Sequence, residues 1–404
     1  MINPATQQRE LAYAVRISEV RDIEGVNNQV AIVNGWQVFV KRDEFKPGDL
    51  AVYFEIDSKV PELECFEFLR KYHFKVRTQR FVKGKVLSQG LVIKPEDLGL
   101  ENVQEGDFLT KQLGVTYYEP EDNIRKASNE ELIKMKVEKR MDRWIKKHPF
   151  LSKFGFIVKI ATWFTEKKIR SKQTKSKKGA TAFPTHFPYI HKSDEERVEN
   201  MPWILENKDP WVKTLKIDGT SSTYILERLK GKNKFEFYVL SRNVRQLTPD
   251  QKCYHDDNVY WEVENKFHIK DMLLDLLNQH PEWSYVCIQG ESAGIGASGS
   301  KIQGNPHKFN ELRFFGFNFI DSVKGRWEST EAKELTAKYG IEWVPIIDEN
   351  YILPDTMEEF KKSAEGNCEA PGGQGLREGY VYRKVGEPTL SFKNINNEYL
   401  LGKK

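Results

Sequence analysis

"TLKIDGTSS", residues 214–222, is the stretch on which the fold turns. A lysine stands two residues before an aspartate and a glycine, and small hydroxylated side chains follow. Just upstream, "WVKTL" (211–215) reads as a strand, and "STYILERL" (222–229) reads as another. A buried strand spends such positions on apolar side chains, and a flexible loop is not led in by so apolar a run. The pattern points to a nucleophile held at the end of a strand. Lysine suits that role, because its amine can attack the α-phosphorus of a nucleotide and hold it as a phosphoramidate, dividing one difficult transfer into easier ones. The attacking amine must be neutral, so its ordinary pKa near 10.4 has to be lowered or its proton removed locally.

The rest of the chain bounds this reading. At 404 residues it exceeds one ordinary domain, so two domains with an insert are expected. A hydrophobic content of 39% suffices for real cores, and a net charge of only +4 excludes a generic polycation. Any nucleic-acid surface must come from local clustering of charge. Cys65, Cys253, Cys287 and Cys368 are far apart and form no CxxC, against a disulfide framework or zinc site. "MINPATQQREL" has no basic segment followed by an apolar core, as a signal peptide would. The most apolar window, "FGFIVKIATWF" (154–164), is too short to span a bilayer and contains Lys159. A soluble intracellular protein is the expectation.

Texture divides the chain into three parts: 1–120, 121–182 and 183–404. In the first, "AYAVRISEV", "QVAIVNGWQVFV" and "LAVYFEID" are rich in Val, Ile, Tyr and Phe and are separated by turn signals, which suggests a small OB-like β-barrel. In the second, Ser128 and Glu131 have capping-box spacing. Ile133, Val137, Met141 and Ile145 then recur every four residues, predicting a helix up to Pro149. The run "KKIRSKQTKSKK" (167–178) reads as a basic, flexible linker. In the third part, strands mix with helices such as "KDMLLDLLNQH" and "TEAKELTAKYG", the latter stopped at Gly340. The fold class is α+β: an N-terminal barrel followed by a largely antiparallel-sheet domain.

A lone K-x-D-G arises by chance in roughly one chain of this length in ten. Here it has company. "LSRN" places Ser241 and Arg242 at a strand end, and "IQGESAGIG" places Glu291 after an apolar strand. "LRFFGFNFID" (312–321) is an aromatic strand able to shelve a purine, with Phe315 or Phe317 as the stacking ring. "REGYVYR" puts Glu378 and Gly379 before another strand, and "LSFKNI" adds Lys393.

In this order the motifs resemble those of the covalent nucleotidyltransferases, the polynucleotide ligases and capping guanylyltransferases. Lys216-Ile217-Asp218-Gly219 resembles motif I, Ser241-Arg242 motif Ia, Gly290-Glu291 motif III and the Phe314–Phe319 segment motif IIIa. Glu378-Gly379-Tyr380-Val381 resembles motif IV, and Ser391-Phe392-Lys393 motif V. Within that superfamily the chain is most similar to ATP-dependent RNA ligases with an N-terminal OB domain. "KIQGNPHKFNELRFFGFN", "FPTHFPYIHKSDEERVEN" and "KVRTQRFVKGKVLSQGL" carry that likeness. Three positions depart from it: Leu215 precedes the nucleophile, Ser391 stands where a second lysine is common, and the loop "GIGASGSKIQGN" is long.

The resemblance implies roles. Lys216 would accept AMP from ATP. Asp218, Glu291 and Glu378 would form the site of magnesium with its retained waters, or of manganese in its place, with Glu378 helping to hold the metal and Asp218 and Glu291 contacting the ribose or metal-bound water. Lys393 would neutralise the α-phosphate, and Gly219 would lie against the nucleotide. Phe315, slightly preferred over Phe317, would stack on adenine, and Arg242 would engage an RNA end. The product would be a sealed 3′-hydroxyl/5′-phosphate junction in RNA, formed by a monomer acting on a nicked duplex. On the barrel, Arg77, Arg80, Lys83 and Lys85 cluster around Phe81 as an RNA-holding surface. A GTP-dependent capping enzyme, or a decayed transferase that only binds RNA, are the alternatives.

Overall fold

Asn34 and Gly35 divide the apolar run 29–40 into two strands. With φ of 47° and 84° they form the two-residue turn that matches the twist of a hairpin, joining Asn28–Val33 to Trp36–Lys41. The strand Glu19–Asp22 extends this pair into a meander. A second sheet pairs Leu50–Phe54 with Ala12–Arg16 on one side and Leu91–Ile93 on the other, all antiparallel. Alternate residues of its central strands serve two cores. Tyr13, Val15, Ala51 and Tyr53 pack with Trp36 and Val38, while Ala12, Ala14, Val52 and Phe54 pack with Phe66, Leu69 and Phe74. Burial on both faces explains why "LAYAV" and "LAVYF" are continuous apolar runs and do not alternate with polar residues.

This computed structural model describes residues 1–118, 137, 140–141, 144–145, 148, 155–176, 181–182, 186–229, 234–242, 244–246, 249 and 258–402. Of the positions read above, Ser128, Glu131, Ile133, Pro149, Cys253, 177–178 and 183–185 lie outside the described residues. Met1–Tyr117 and Ala182–Lys404 form one compact unit and Tyr118–Thr181 another, so the first and third parts of the chain belong together. In the unit Tyr118–Thr181, Val158 and Ala161 of the helix Gly155–Ser176 lie against Val137, Met141 and Trp144. The basic run expected to be a linker is helical as far as Ser176. Its Lys, Arg and Gln residues lose little rotamer freedom in a helix, so charge alone does not prevent helix formation.

Two sheets build the second half of the larger unit. One has the order Glu196–Arg197, Glu387–Ile395, Gly379–Lys384, Trp211–Leu215, Ile346–Tyr351. The other runs through Phe235–Ser241, Thr220–Arg228, Tyr285–Ala293 and Arg313–Asp321, antiparallel throughout. The helices Val259–Phe267 and Ile269–Gln279 supply Val263, Met272, Leu273 and Leu276 to the core they share with Tyr224, Leu226, Val286 and Ile288. Ile225, Tyr238 and Cys287 face the other way, onto Phe187 and Ile190. Lys216–Gly219 is the crossing between the sheets: the chain leaves the first at Leu215 and enters the second at Thr220.

The barrel joins this half directly. Ile2 N donates to Asn200 O at 2.6 Å, Trp203 Nε1 to Ile2 O at 3.1 Å, and the Arg197 guanidinium lies 5.3 Å over Trp36.

Candidate active site

The crossing carries its motif for identifiable reasons. Lys216 N donates to Gly379 O at 3.0 Å, and Asp218 N donates to Nε2 of the fully buried His307 at 3.0 Å. Gly219 must lack a side chain, since a Cβ there would lie 2.3 Å from Ser292 O; its own N–H donates to Glu291 Oε1 at 3.1 Å. The hydroxyls that follow are pinned across strands. Ser221 Oγ lies 2.5 Å from Ser193 Oγ, and Ser222 Oγ lies 2.7 Å from Ser292 Oγ. The glycine thus lets the crossing lie against Ser292 of the second sheet, and the hydroxyls fasten the strand that follows to its neighbour and to Ser193.

Around the crossing lies a cavity of about 480 Å³. Lys216, Asp218, Gly219, Arg242, Glu291, Phe317, Glu378 and Lys393 all line it. Lys216 Nζ is 2.9 Å from Glu378 Oε2, with 26% of the lysine side chain exposed. Burial pulls the Lys216 ammonium down, but Glu378, Glu291 and Asp218 outweigh it and hold its pKa above the usual lysine value. Of the two routes the sequence left open, a lowered pKa or local removal of the proton, the carboxylates work against the first by raising the Lys216 pKa. Glu291 is pushed up to about 8, by burial first and then by the nearby Glu378 and Asp218, against the opposing pull of Lys216.

One of the expected roles is corrected. Phe315 is 0% exposed, covered by Arg313 at 4.6 Å and Phe309 at 5.5 Å, so it is core and leaves Phe317 as the aromatic in the cavity. The cause is a bulge: Gln289 opposes Asn318 and Gly290 opposes Gly316, so Phe317 is the extra residue and breaks the two-residue period. Each carboxylate expected near the metal has a partner in the structure. Among the described residues no three acidic, histidine or cysteine side chains converge as a closed cage. Asp218 Oδ2 accepts from the Tyr399 hydroxyl at 2.5 Å, Glu291 accepts from Gly219, and Glu378 pairs with Lys216. The oxygen-only donors suit magnesium or manganese in an open site that keeps waters and adds phosphate oxygens, rather than three protein ligands together.

Several residues went unread in the sequence. Asp194 lines the cavity and bridges two of its cations, accepting from Lys393 Nζ at 3.0 Å and pairing with Arg242. Burial works against the Asp194 carboxylate, but Lys393 and Arg242 hold it below the usual carboxylate range. Burial in turn lowers the Lys393 ammonium, opposed by Asp194 and aided by Lys216. Where a second lysine was expected, Ser391 donates to Glu195, which also accepts from the buried Arg383 at 3.2 Å. The long loop closes on itself through Gly296 N to Ser300 O at 2.9 Å and delivers Gln303 to the cavity.

On the barrel, Arg77, Arg80, Lys83 and Lys85 are all exposed, but two expected features are otherwise engaged. Phe81 stacks on Phe39 at 4.2 Å, and Arg80 Nη2 donates to Leu400 O at 2.7 Å. Arg77 lies 3.7 Å over the Tyr72 ring.

Residues 209–395 match the family model for RNA ligase, and residues 11–95 match a model for an OB-fold domain. No curated protein matches the chain. Among solved structures it is similar to Naegleria gruberi RNA ligase. With a lysine-to-methionine variant carrying AMP and Mn the identity is 26% and the TM-score 0.60, covering 98% of this chain and 99% of that one. With an aspartate-to-alanine variant without ligand the values are 27%, 0.60, 98% and 98%. With a form carrying pyrophosphate they are 27%, 0.58, 97% and 98%.

Proposed function

We infer that this chain, an ATP-dependent RNA ligase with an N-terminal OB-fold domain, seals a 3′-hydroxyl to a 5′-phosphate in RNA, with Lys216 as the residue that carries AMP. The observation that carries the assignment of roles is the position of Lys216. It sits at the crossing of two sheets, in a cavity whose walls hold both the carboxylates that charge it and the cations that receive phosphate.

In the first step the Lys216 amine attacks the α-phosphorus of ATP, forming an N–P bond as the bond to pyrophosphate breaks and the ammonium proton leaves. In the second, a 5′-phosphate oxygen of RNA attacks the same phosphorus and Lys216 is released and reprotonated. In the third, the 3′-oxygen attacks the activated 5′-phosphate and AMP departs. Glu378 and Glu291 are the residues that would hold magnesium or manganese with phosphate oxygens, supplying positive charge that weakens their grip on the lysine proton. Lys393 and Arg242 receive phosphate in place of Asp194, and Phe317, with Val344 and Ile395 in the same cavity, forms the apolar wall for adenine. Each step gains chiefly from positioning and from charge placed in advance.

The substrate form we favour is a nicked duplex, held where Arg77, Lys83 and Lys85 of the barrel present exposed charge. One chain suffices, since every one of these groups comes from it. A capping activity with GTP is not favoured, because the family model that matches is that of RNA ligase. No helix among the described residues is long and apolar enough to cross a membrane. The test is sealing of a 5′-labelled nicked RNA duplex with ATP and magnesium. Joined product is expected, and single-stranded ends joined as readily as the nick would overturn the preference for a duplex.

A further inference from the structure

We propose that the short C-terminal helix Asn397–Gly402 belongs to the reaction apparatus and that its Tyr399 is a positioning residue for Asp218. The helix lies beyond residue 395, where the match to the RNA ligase model ends. Its tyrosine nevertheless reaches the nucleophile turn: Tyr399 is 6% exposed, and its hydroxyl donates to Asp218 Oδ2 at 2.5 Å.

The same ring makes a second, indirect hold on Asp218. It lies nearly parallel to His307, at 6.1 Å between centroids and 16° between planes, and His307 Nε2 accepts the Asp218 backbone N–H. Side chain and backbone of the aspartate, two residues after the nucleophile, therefore lean on one stacked pair. An aspartate gripped at both side chain and backbone keeps one orientation beside Lys216, and alignment of the nucleotide requires such fixed groups.

The helix is itself tied at both ends. At its start the buried Asn396 donates N–H to Glu378 O at 2.9 Å, and its side chain accepts from Glu398 N at 2.9 Å. The helix is thus fastened to the backbone of the residue that pairs with the nucleophile. At its far end Arg80 of the barrel donates to Leu400 O at 2.7 Å. Leu400 lines the catalytic cavity, and Leu401 lines a separate groove with Lys85 and Val86 of the barrel. Arg80, read from the sequence as an RNA contact, is in this structure the outer anchor of a helix whose Tyr399 reaches Asp218.

The inference rests on the ligase reading, and the experiment separates the two. Full-length wild type, Tyr399→Phe, Tyr399→Ala and Arg80→Ala are mixed rapidly with α-labelled ATP and magnesium, and the rate of covalent labelling is followed across ATP concentrations. Tyr399→Phe keeps the ring and removes only the hydroxyl. It is expected to lower the maximal labelling rate by about tenfold to a hundredfold while half-saturating ATP shifts by less than about threefold. Arg80→Ala is expected to lower the same rate by a smaller factor, and Tyr399→Ala to lower it further than Tyr399→Phe. An unchanged maximal rate in Tyr399→Phe beside a labelled wild type would overturn the proposal. So would a loss matched by a fall in thermal stability and a parallel rise in half-saturating ATP, which marks a merely structural tyrosine. A wild type that takes no label would overturn the ligase reading itself, and this proposal with it.

Discussion

Lys216 and Glu378 meet at 2.9 Å because they stand at the same end of two adjacent strands of one sheet. Leu215 pairs with Tyr380 on adjacent antiparallel strands, so the lysine that follows the one strand and the glutamate that precedes the other are brought side by side by register. Strand pairing, not loop placement, sets the distance between nucleophile and carboxylate. Such geometry is stiff, because slipping the register by one residue would turn every buried side chain of the strand outward.

Within this pair, Glu378 is the strongest of the charges that raise the Lys216 pKa, while burial lowers it. Glu378→Gln should let burial prevail, so that Lys216 becomes reactive at lower pH than in the wild type. Modification by an amine-directed reagent without ATP, followed by peptide mass spectrometry across pH, measures this. An unchanged pH dependence would contradict the assigned charge balance.

Glu291 makes the stability of the protein depend on pH. Its folded pKa is raised from 4.5 to about 8, so the native state keeps a proton that the unfolded chain has already lost. That contribution is complete below the ordinary carboxylate value and is lost as pH rises from about 4.5 to about 8. Urea unfolding should show Glu291→Gln flattening the decline between pH 5.5 and 8.5. A wild type that gains stability from this group over that range would reverse the sign and refute the reading.

The two phenylalanines should separate cleanly. Phe317→Ala removes a ring from the cavity wall and should raise half-saturating ATP by about threefold to tenfold, a stacking contribution of ~1 kcal/mol, with little loss of stability. Phe315→Ala empties a fully buried site and should cost about 3–5 kcal/mol of stability. Titration of ATP against labelling, beside denaturant unfolding, distinguishes them.

Gly35 tests the joint between barrel and catalytic half. Its φ of 84° disfavours a side chain, and a Cβ there would lie 2.9 Å from Met357 Cγ and 3.2 Å from Glu199 Cγ. Gly35→Ala should destabilise the protein by about 1–3 kcal/mol through strain and crowding. Calorimetry of the variant checks it.

Much of this was legible in the sequence. The strands around Lys216 announce themselves by composition, and Lys216, Asp218, Arg242, Glu291, Glu378 and Lys393 share one cavity although they span 178 positions of chain. What was not legible has physical causes. A bulge leaves no mark in a run of alternating aromatics, so the slight preference for Phe315 over Phe317 was misplaced. Asp194 and His307 lie in stretches that carried the family likeness without a role of their own, Tyr399 lies beyond every motif, and only the packed structure brings them to the crossing. A sequence shows which groups are acidic, not which hydrogen bonds occupy them, so the Tyr399 hydroxyl on Asp218 could not be read from it. Arg80 looked free for RNA for the same reason, since its partner is a backbone carbonyl 320 residues away.

The most direct measurement is the covalent intermediate. The full-length protein is incubated with α-labelled ATP and magnesium, with Lys216→Ala beside it, and the label is mapped by proteolysis and mass spectrometry. AMP is expected on the peptide containing Lys216, through a linkage labile in acid and stable in alkali as a phosphoramidate is, and none on the variant. AMP on another residue, or no adduct from a folded protein supplied with metal, would contradict Lys216 as the nucleophile.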